Sequence, residues 1–163
     1  MTRAVLSLGS NLGDRAAFLR LAVDGLRETL VSVSSVYETK AWGVEDQPDF
    51  LNAVCIVDDP ARTHWDWLRL GQSLEDKAGR VRELRWGPRT LDVDVVSVDE
   101  IRSAEPELLL PHPGTADRAT VLVPWLEIDP AAQVLDLGSA AELLARLPAS
   151  ARAQVHLRPH LTL

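Results

Sequence analysis

Alternating runs and one-sided apolar stripes divide this chain into short, well-punctuated segments. Arg3 to Leu8 alternates and is rich in β formers, which predicts a first strand. The turn residues Gly9-Ser10-Asn11-Leu12-Gly13-Asp14 end that strand and cap a helix. Its apolar stripe recurs at Leu19, Ala22, Val23, Leu26 and Leu30. A second strand is expected over Val31 to Thr39, then a long loop from Lys40 to Asp49, then a third strand over Leu51 to Val57. Pro60 introduces a helix from about Thr63 to Ala78, apolar at Trp67, Leu68, Leu74 and Ala78, and Gly79 stops it. Leu91 to Val98 alternates again as a fourth strand, and residues 99–113 read as a polar connection ending in Leu110-Pro111-His112-Pro113. A short helix is expected over Ala119 to Glu127, with Pro124 unexplained inside it, and a helical Ala140 to Leu147 lies in an otherwise uninformative tail. The order β-α-β-β-α-β predicts an α+β sandwich of the ferredoxin-like kind, an antiparallel sheet with helices packed on it.

Composition narrows the class. At 163 residues, with 46% hydrophobic and 25% charged residues, the chain has the makeup of one globular domain spanning 1–163. It has no repeat and no splitting linker. No run of about 18 apolar residues offers a membrane span, and the apolar Ala4 to Leu8 reaches Gly9 too soon for a signal peptide. Cys55 is the only cysteine, which excludes an internal disulfide and a cysteine-based zinc site. It reads as a small core residue of a cytoplasmic protein. A net charge of −7 disfavours a general nucleic-acid binder. Against that acidity, residues 80–89 stand out: Arg80, Arg82, Arg85 and Arg89 oppose the single acid Glu83. A cationic patch on an acidic chain suits a small, highly charged anion.

Asp92 and Asp94 are the second anomaly. Two apart on a strand, they point to one face with Cα atoms about 7 Å apart, although aspartate is depleted in strands. Alone, the pair is also what an ordinary solvent-facing strand would show. Beside the arginines it acquires a purpose: hard oxygen ligands can hold Mg²⁺ while guanidinium forks take phosphate oxygens, the requirement of polyphosphate transfer. No P-loop and no GxGxxG occurs, so a nucleotide would be held in neither of those ways. Phe50 and Asn52 share one strand face, where a ring can stack a flat heterocycle and an amide can read its rim. As residues alone they equally describe a core phenylalanine and a strand-end asparagine.

Arg80-Val81-Arg82 followed by Arg85-Trp86-Gly87-Pro88-Arg89-Thr90-Leu91-Asp92-Val93-Asp94 resembles the signature of the hydroxymethyl-dihydropterin pyrophosphokinases of folate biosynthesis. Three further blocks match in order: Leu8 to Gly13, Asp46 to Ala53, and Leu110-Pro111-His112-Pro113 with Arg118. The resemblance implies diphosphate transfer from ATP to 6-hydroxymethyl-7,8-dihydropterin with release of AMP. It implies Asp92 and Asp94 as ligands of two Mg²⁺ ions and Arg82, Arg89, His112 and Arg118 at the triphosphate. Gln72, Glu75 and Trp86 would lie around the nucleotide or the closing loop, and Arg80 would bring that loop over the phosphates. Phe50 would stack on the pterin, Asn52 would bond its edge, and Thr39 and Trp42 would wall the pocket. The family usually places an aromatic two residues after the arginine matching Arg118, where this chain has Thr120, and a proline is common where Lys40 stands. The partners implied are these small molecules, with no nucleic acid or membrane, and a monomer is expected. A different magnesium-dependent phosphoryl transferase with a refitted pocket, or an RNA-binding ferredoxin-like module using Arg85, Trp86 and Arg89, are the competing readings.

Overall fold

The computed structural model describes residues 2–40, 47–80 and 90–163. Alternating residues build the strands β1 (Arg3–Ser10), β4 (Phe50–Asp58) and β5 (Asp92–Val98) close to where periodicity puts them. The helices α1 (Arg15–Leu26) and α2 (His64–Lys77) follow the same rule. Asp14 caps α1 by accepting from the Ala17 amide, and Thr63 with Asp66 forms a reciprocal capping box on α2. The main sheet is six-stranded, in the order β10 (His156–Leu157), β3 (Tyr37–Thr39), β4, β1, β5, with β2 (Leu30–Val33) also on β4, and every pairing is antiparallel. For the βαββαβ part this is the expected ferredoxin-like arrangement.

Several expectations need correction. The second strand is two pieces, β2 (Leu30–Val33) and β3 (Tyr37–Thr39), because the Ser34 hydroxyl bonds the Val54 amide and breaks the ladder. The first helix stops at Leu26, not Leu30, which instead opens β2. The polar connection 99–113 contains a hairpin, β6 (Ser103–Glu105) and β7 (Leu108–Leu110). The tail is not idle. It adds the small ribbon β8 (Gln133–Val134) and β9 (Gly138–Ser139), then α4 (Ala140–Arg146), α5 (Ala149–Ala153) and β10 (His156–Leu157), which joins the main sheet beside β3. Pro124 sits within α3 (Ala119–Ile128), so its ring nitrogen cannot donate the helical bond to Thr120.

Both sheet faces are covered, one of them only in part. Leu6, Leu8, Cys55, Val57, Val93 and Val95 pack against Leu19, Val23 and Leu26 of α1 and Trp67 and Leu74 of α2. Cys55 is fully buried there, and removal from water pushes its thiol up to about 12. On the opposite face, Val5, Val54, Ile56 and Val96 pack under Val121, Leu122 and Trp125 of α3 and Leu143 of α4. Those strands continue past the helices with Ser7 and Gly9, Phe50 and Asn52, Asp92 and Asp94. One sheet face is thus apolar at one end and polar at the other, and the polar end is where a site can open. Among the described residues no helix is long and apolar enough to cross a membrane.

Gly71 sets how closely α2 lies on β5, since a Cβ there would stand 3.0 Å from Val93 Cγ1. Helix propensity favours other residues over glycine by about 1 kcal/mol or less, whereas overpacking costs about 1–3 kcal/mol. Gly71→Val should therefore lower the urea and thermal unfolding midpoints; an unchanged or raised midpoint would show that α2 and β5 are not in this contact.

Candidate active site

Register brings the polar strand ends together. Gly9 lies opposite Asn52 on one side and Asp92 on the other, and Ser7 lies between Val54 and Asp94. Ser7, Gly9, Asn52, Asp92 and Asp94, with Thr39, Phe50 and Arg118, line a cavity of about 160 Å³. A Cβ at Gly9 would reach Asn52 Oδ1 at 3.4 Å and Phe50 Cδ1 at 3.5 Å, so any side chain there would fill the floor between them. The Asn52 amide donates to Thr39 Oγ1 at 2.8 Å, which fixes its orientation. The entry to β4 is held from the turn after β1. Buried Asn11 donates to Gln47 Oε1 at 2.9 Å and to the Pro48 carbonyl at 3.0 Å, and Arg15 donates to the Asp49 carbonyl at 2.8 Å.

The acidic end is a charge cluster on an edge strand. Arg80 Nη1 donates to Glu75 Oε2 at 2.5 Å and to Asp92 Oδ1 at 2.8 Å. Glu75, 4% exposed, also accepts from the Val93 amide at 2.9 Å, so it occupies an outward N–H of β5 that no strand among the described residues reaches. On the same outer edge the His112 amide donates to the Val96 carbonyl at 2.9 Å, after a cis Leu110–Pro111 bond. Asp94 lies against Asp92. Removal from water, then the Asp92 charge and a hydrogen bond between the two carboxyls, raise Asp94 to about 8, with Arg118 opposing the rise. His112 is held below its ordinary range by burial and by Arg118, while Asp92 pulls the other way. Arg118 itself lies flat on Gly114, where a Cβ would stand 2.7 Å from its Nε and 3.0 Å from its Cζ.

Of the residues singled out in the sequence, Thr39, Phe50, Asn52, Asp92, Asp94 and Arg118 share the cavity. Arg80 and His112 border it through Asp92. Glu75 is buried beside them, engaged by Arg80 and β5. Gln72 is on the exposed side of α2 and does not line the cavity. Trp42, Arg82, Trp86 and Arg89 lie outside the described residues. Residues the sequence did not flag include Asn11, Gly114 and the cavity-lining Ala151, Gln154 and Val155. Gly114 had a visible signal, a glycine directly after the Pro-His-Pro turn; the tail residues had none. Among the described residues no group of three or more His, Cys, Asp or Glu could hold a metal. The aspartate pair alone suits a hard cation that takes its other ligands from water and substrate phosphates.

Comparison with known proteins identifies the family and the fold. The family profile described as 7,8-dihydro-6-hydroxymethylpterin-pyrophosphokinase matches residues 5–130. The 2-amino-4-hydroxy-6-hydroxymethyldihydropteridine pyrophosphokinase of Mycobacterium tuberculosis is 47% identical over 169 residues, covering 96% of this chain and 90% of that protein. The protein of the same name from Bacillus subtilis is 41% identical over 129 residues, covering 77% of each. A crystal structure of Plasmodium falciparum HPPK-DHPS superposes with a TM-score of 0.65 at 12% identity, covering 89% of this chain. This chain spans 44% of that one, and the likeness is one of fold.

The raised Asp94 has a measurable consequence. A carboxyl that is harder to ionise folded than unfolded supports stability below its unfolded value and loses that support as pH rises through its folded one. In buffer without divalent cations, Asp94→Asn should gain in unfolding midpoint over wild type between about pH 4 and pH 8, a window set by this shift. Parallel midpoint curves for the two proteins would remove the strained pair.

Proposed function

Because the chain belongs to the 7,8-dihydro-6-hydroxymethylpterin-pyrophosphokinase family, and so moves a pyrophosphoryl group from ATP to hydroxymethyldihydropterin in folate biosynthesis, we propose that the cavity between β4 and β5 is where it does so. The observation that carries this assignment is that Asp92 and Asp94 line one cavity with Phe50, Asn52 and Arg118. Two carboxylates on one strand face at an open cavity fit a dication that takes its other ligands from water and phosphate.

In this reading Asp92 and Asp94 hold Mg²⁺, with two ions expected from the family likeness. When bound, the metal supplies Lewis-acid relief of charge on the phosphate oxygens. The chain's own residues do the rest. Arg80 keeps Asp92 in place and ties it to Glu75, so the carboxylate does not swing when charge arrives. Arg118, flattened on Gly114, and His112 face the triphosphate, and Arg82 and Arg89 join them from the segment ahead of β5. Gln72, Glu75 and Trp86 belong to the nucleotide side; Glu75 acts there by holding Arg80. Phe50 stacks on the pterin, Asn52 reads its edge, and Thr39 and Trp42 complete the wall. Asn11 and Arg15 position the strand entry that carries Phe50.

The reaction needs little bond-making by the protein. The pterin hydroxyl attacks the β-phosphorus, the bond between the α- and β-phosphates breaks, and AMP departs with the bridging oxygen. Catalysis is then orientation and charge stabilisation. As further parts of the proposal, residues 1–163 form one domain, because β10 returns to the main sheet. The protein acts on small molecules as a cytoplasmic monomer, without a nucleic-acid or membrane partner.

Incubation with ATP, Mg²⁺ and reduced hydroxymethylpterin should yield AMP and the pterin diphosphate by mass analysis. ADP as the nucleotide product would mean ordinary γ-transfer and a different chemistry. Asp94→Ala should keep its circular dichroism spectrum and lose roughly 10³-fold or more in turnover, the scale of removing a charge-stabilising centre. Near-normal turnover in that variant would release Asp94 from the metal role.

A further inference from the structure

One side of the cavity is built by a part of the chain beyond the family-matched residues 5–130. Ala151 of α5, with Gln154 and Val155 just after it, lines the same cavity as Phe50, Asn52 and Thr120. The placement is anchored on both sides. Before it, Pro148 ends the turn after α4, and α5 lies beside α3, whose first turn carries Thr120. After it, β10 pairs with Tyr37 and Glu38, immediately before the cavity residue Thr39.

The strap then continues. The Arg158 amide donates to the Val36 carbonyl at 2.8 Å, and Glu38 accepts from both Arg158 and Arg15. The two guanidinium groups, Arg158 first, hold the Glu38 carboxyl below its usual range. Leu161 and Leu163 reach the apolar cluster on the far face, and the Thr162 carbonyl accepts from Arg20 at 3.3 Å. Pairing at β10 and contacts beyond it anchor the backbone of this segment against the cavity.

We propose that the segment Ala149–Val155 is a wall of the pterin subsite and that the Gln154 amide is a specificity-determining contact to the heterocycle's polar rim. This rests on the assignment of the cavity to the pterin. Thr120 and Ala151 line the same cavity, and α5 packs beside α3 at that side. Ala151 and Val155 supply apolar carbon for a flat ring. Gln154 supplies a donor and an acceptor on one planar group, matching an amino-oxo edge. The Asn52 amide is engaged by Thr39, whereas the Gln154 amide has no partner among the described residues.

The test is steady-state AMP formation by wild type, Gln154→Ala and Ala151→Trp, with calorimetric titration of each protein by ATP and by the reduced hydroxymethylpterin. Gln154→Ala should raise the pterin KM by about tenfold, the effect of one lost hydrogen bond in a binding site, and leave the ATP KM within about twofold. Ala151→Trp should fill the cavity and abolish pterin binding while ATP titrates as in wild type. Pterin affinity within about twofold of wild type in both variants would overturn the wall. Loss of ATP and pterin binding together would overturn it too, as a merely structural role. If wild type itself forms no AMP from this pair, the activity assignment fails; pterin titration of Ala151→Trp against wild type still decides the wall.

Discussion

Two carboxylates held side by side on an edge strand are the constraint around which this molecule is arranged. Asp92 and Asp94 alternate with Val93 and Val95, so the period that aims the acids at the cavity also buries the valines under α2. Such a pair is costly in the folded state, because burial and the neighbouring like charge both disfavour ionising Asp94. The surroundings offset part of that cost with groups that also fix geometry: Arg80 bridges Asp92 to Glu75, and Glu75 closes the exposed edge of β5 at Val93. Cations meet the acids where the substrate is expected, and an apolar core begins one residue pair further along each strand.

That division of one sheet face explains how the fold makes room. Val5, Val54, Ile56 and Val96 draw α3 and α4 over one half, and Ser7, Gly9, Asn52 and Asp94 leave the other half without an apolar reason to be covered. The N-terminal end of α3 then faces the open half and delivers Arg118 and Thr120 to it. Gly114 matters for the same reason at smaller scale, because the guanidinium of Arg118 occupies the space a Cβ would take.

Much of this was legible in the residues. Strong period-2 and period-3.6 patterns placed β1, β4, β5, α1 and α2 within a few residues, with the turn residues up to Asp14 and Pro60 marking the two helix starts. Phe50 with Asn52 and Asp92 with Asp94 could be put on shared faces from spacing, and the structure brings those two faces to one cavity. What could not be read depends on contacts between distant segments. Two-residue strands such as β10 have no periodicity, so nothing at His156 and Leu157 announces pairing with Tyr37 and Glu38. Asn11 looked like turn chemistry because its partners Gln47 and Pro48 are far along the chain. Gln154 is an unremarkable polar residue until the strap brings it to the cavity that Thr120 also lines.

The aspartate pair can be tested as a cation site by following which nuclei sense a bound paramagnetic ion. With Mn²⁺ and a non-hydrolysable ATP analogue, the amide resonances of Asp92 to Asp94 should broaden first, together with their register partners Ser7 and Gly9. Broadening centred on another part of the molecule, with those resonances left sharp, would contradict the placement of the metal and with it the chemistry assigned to the cavity.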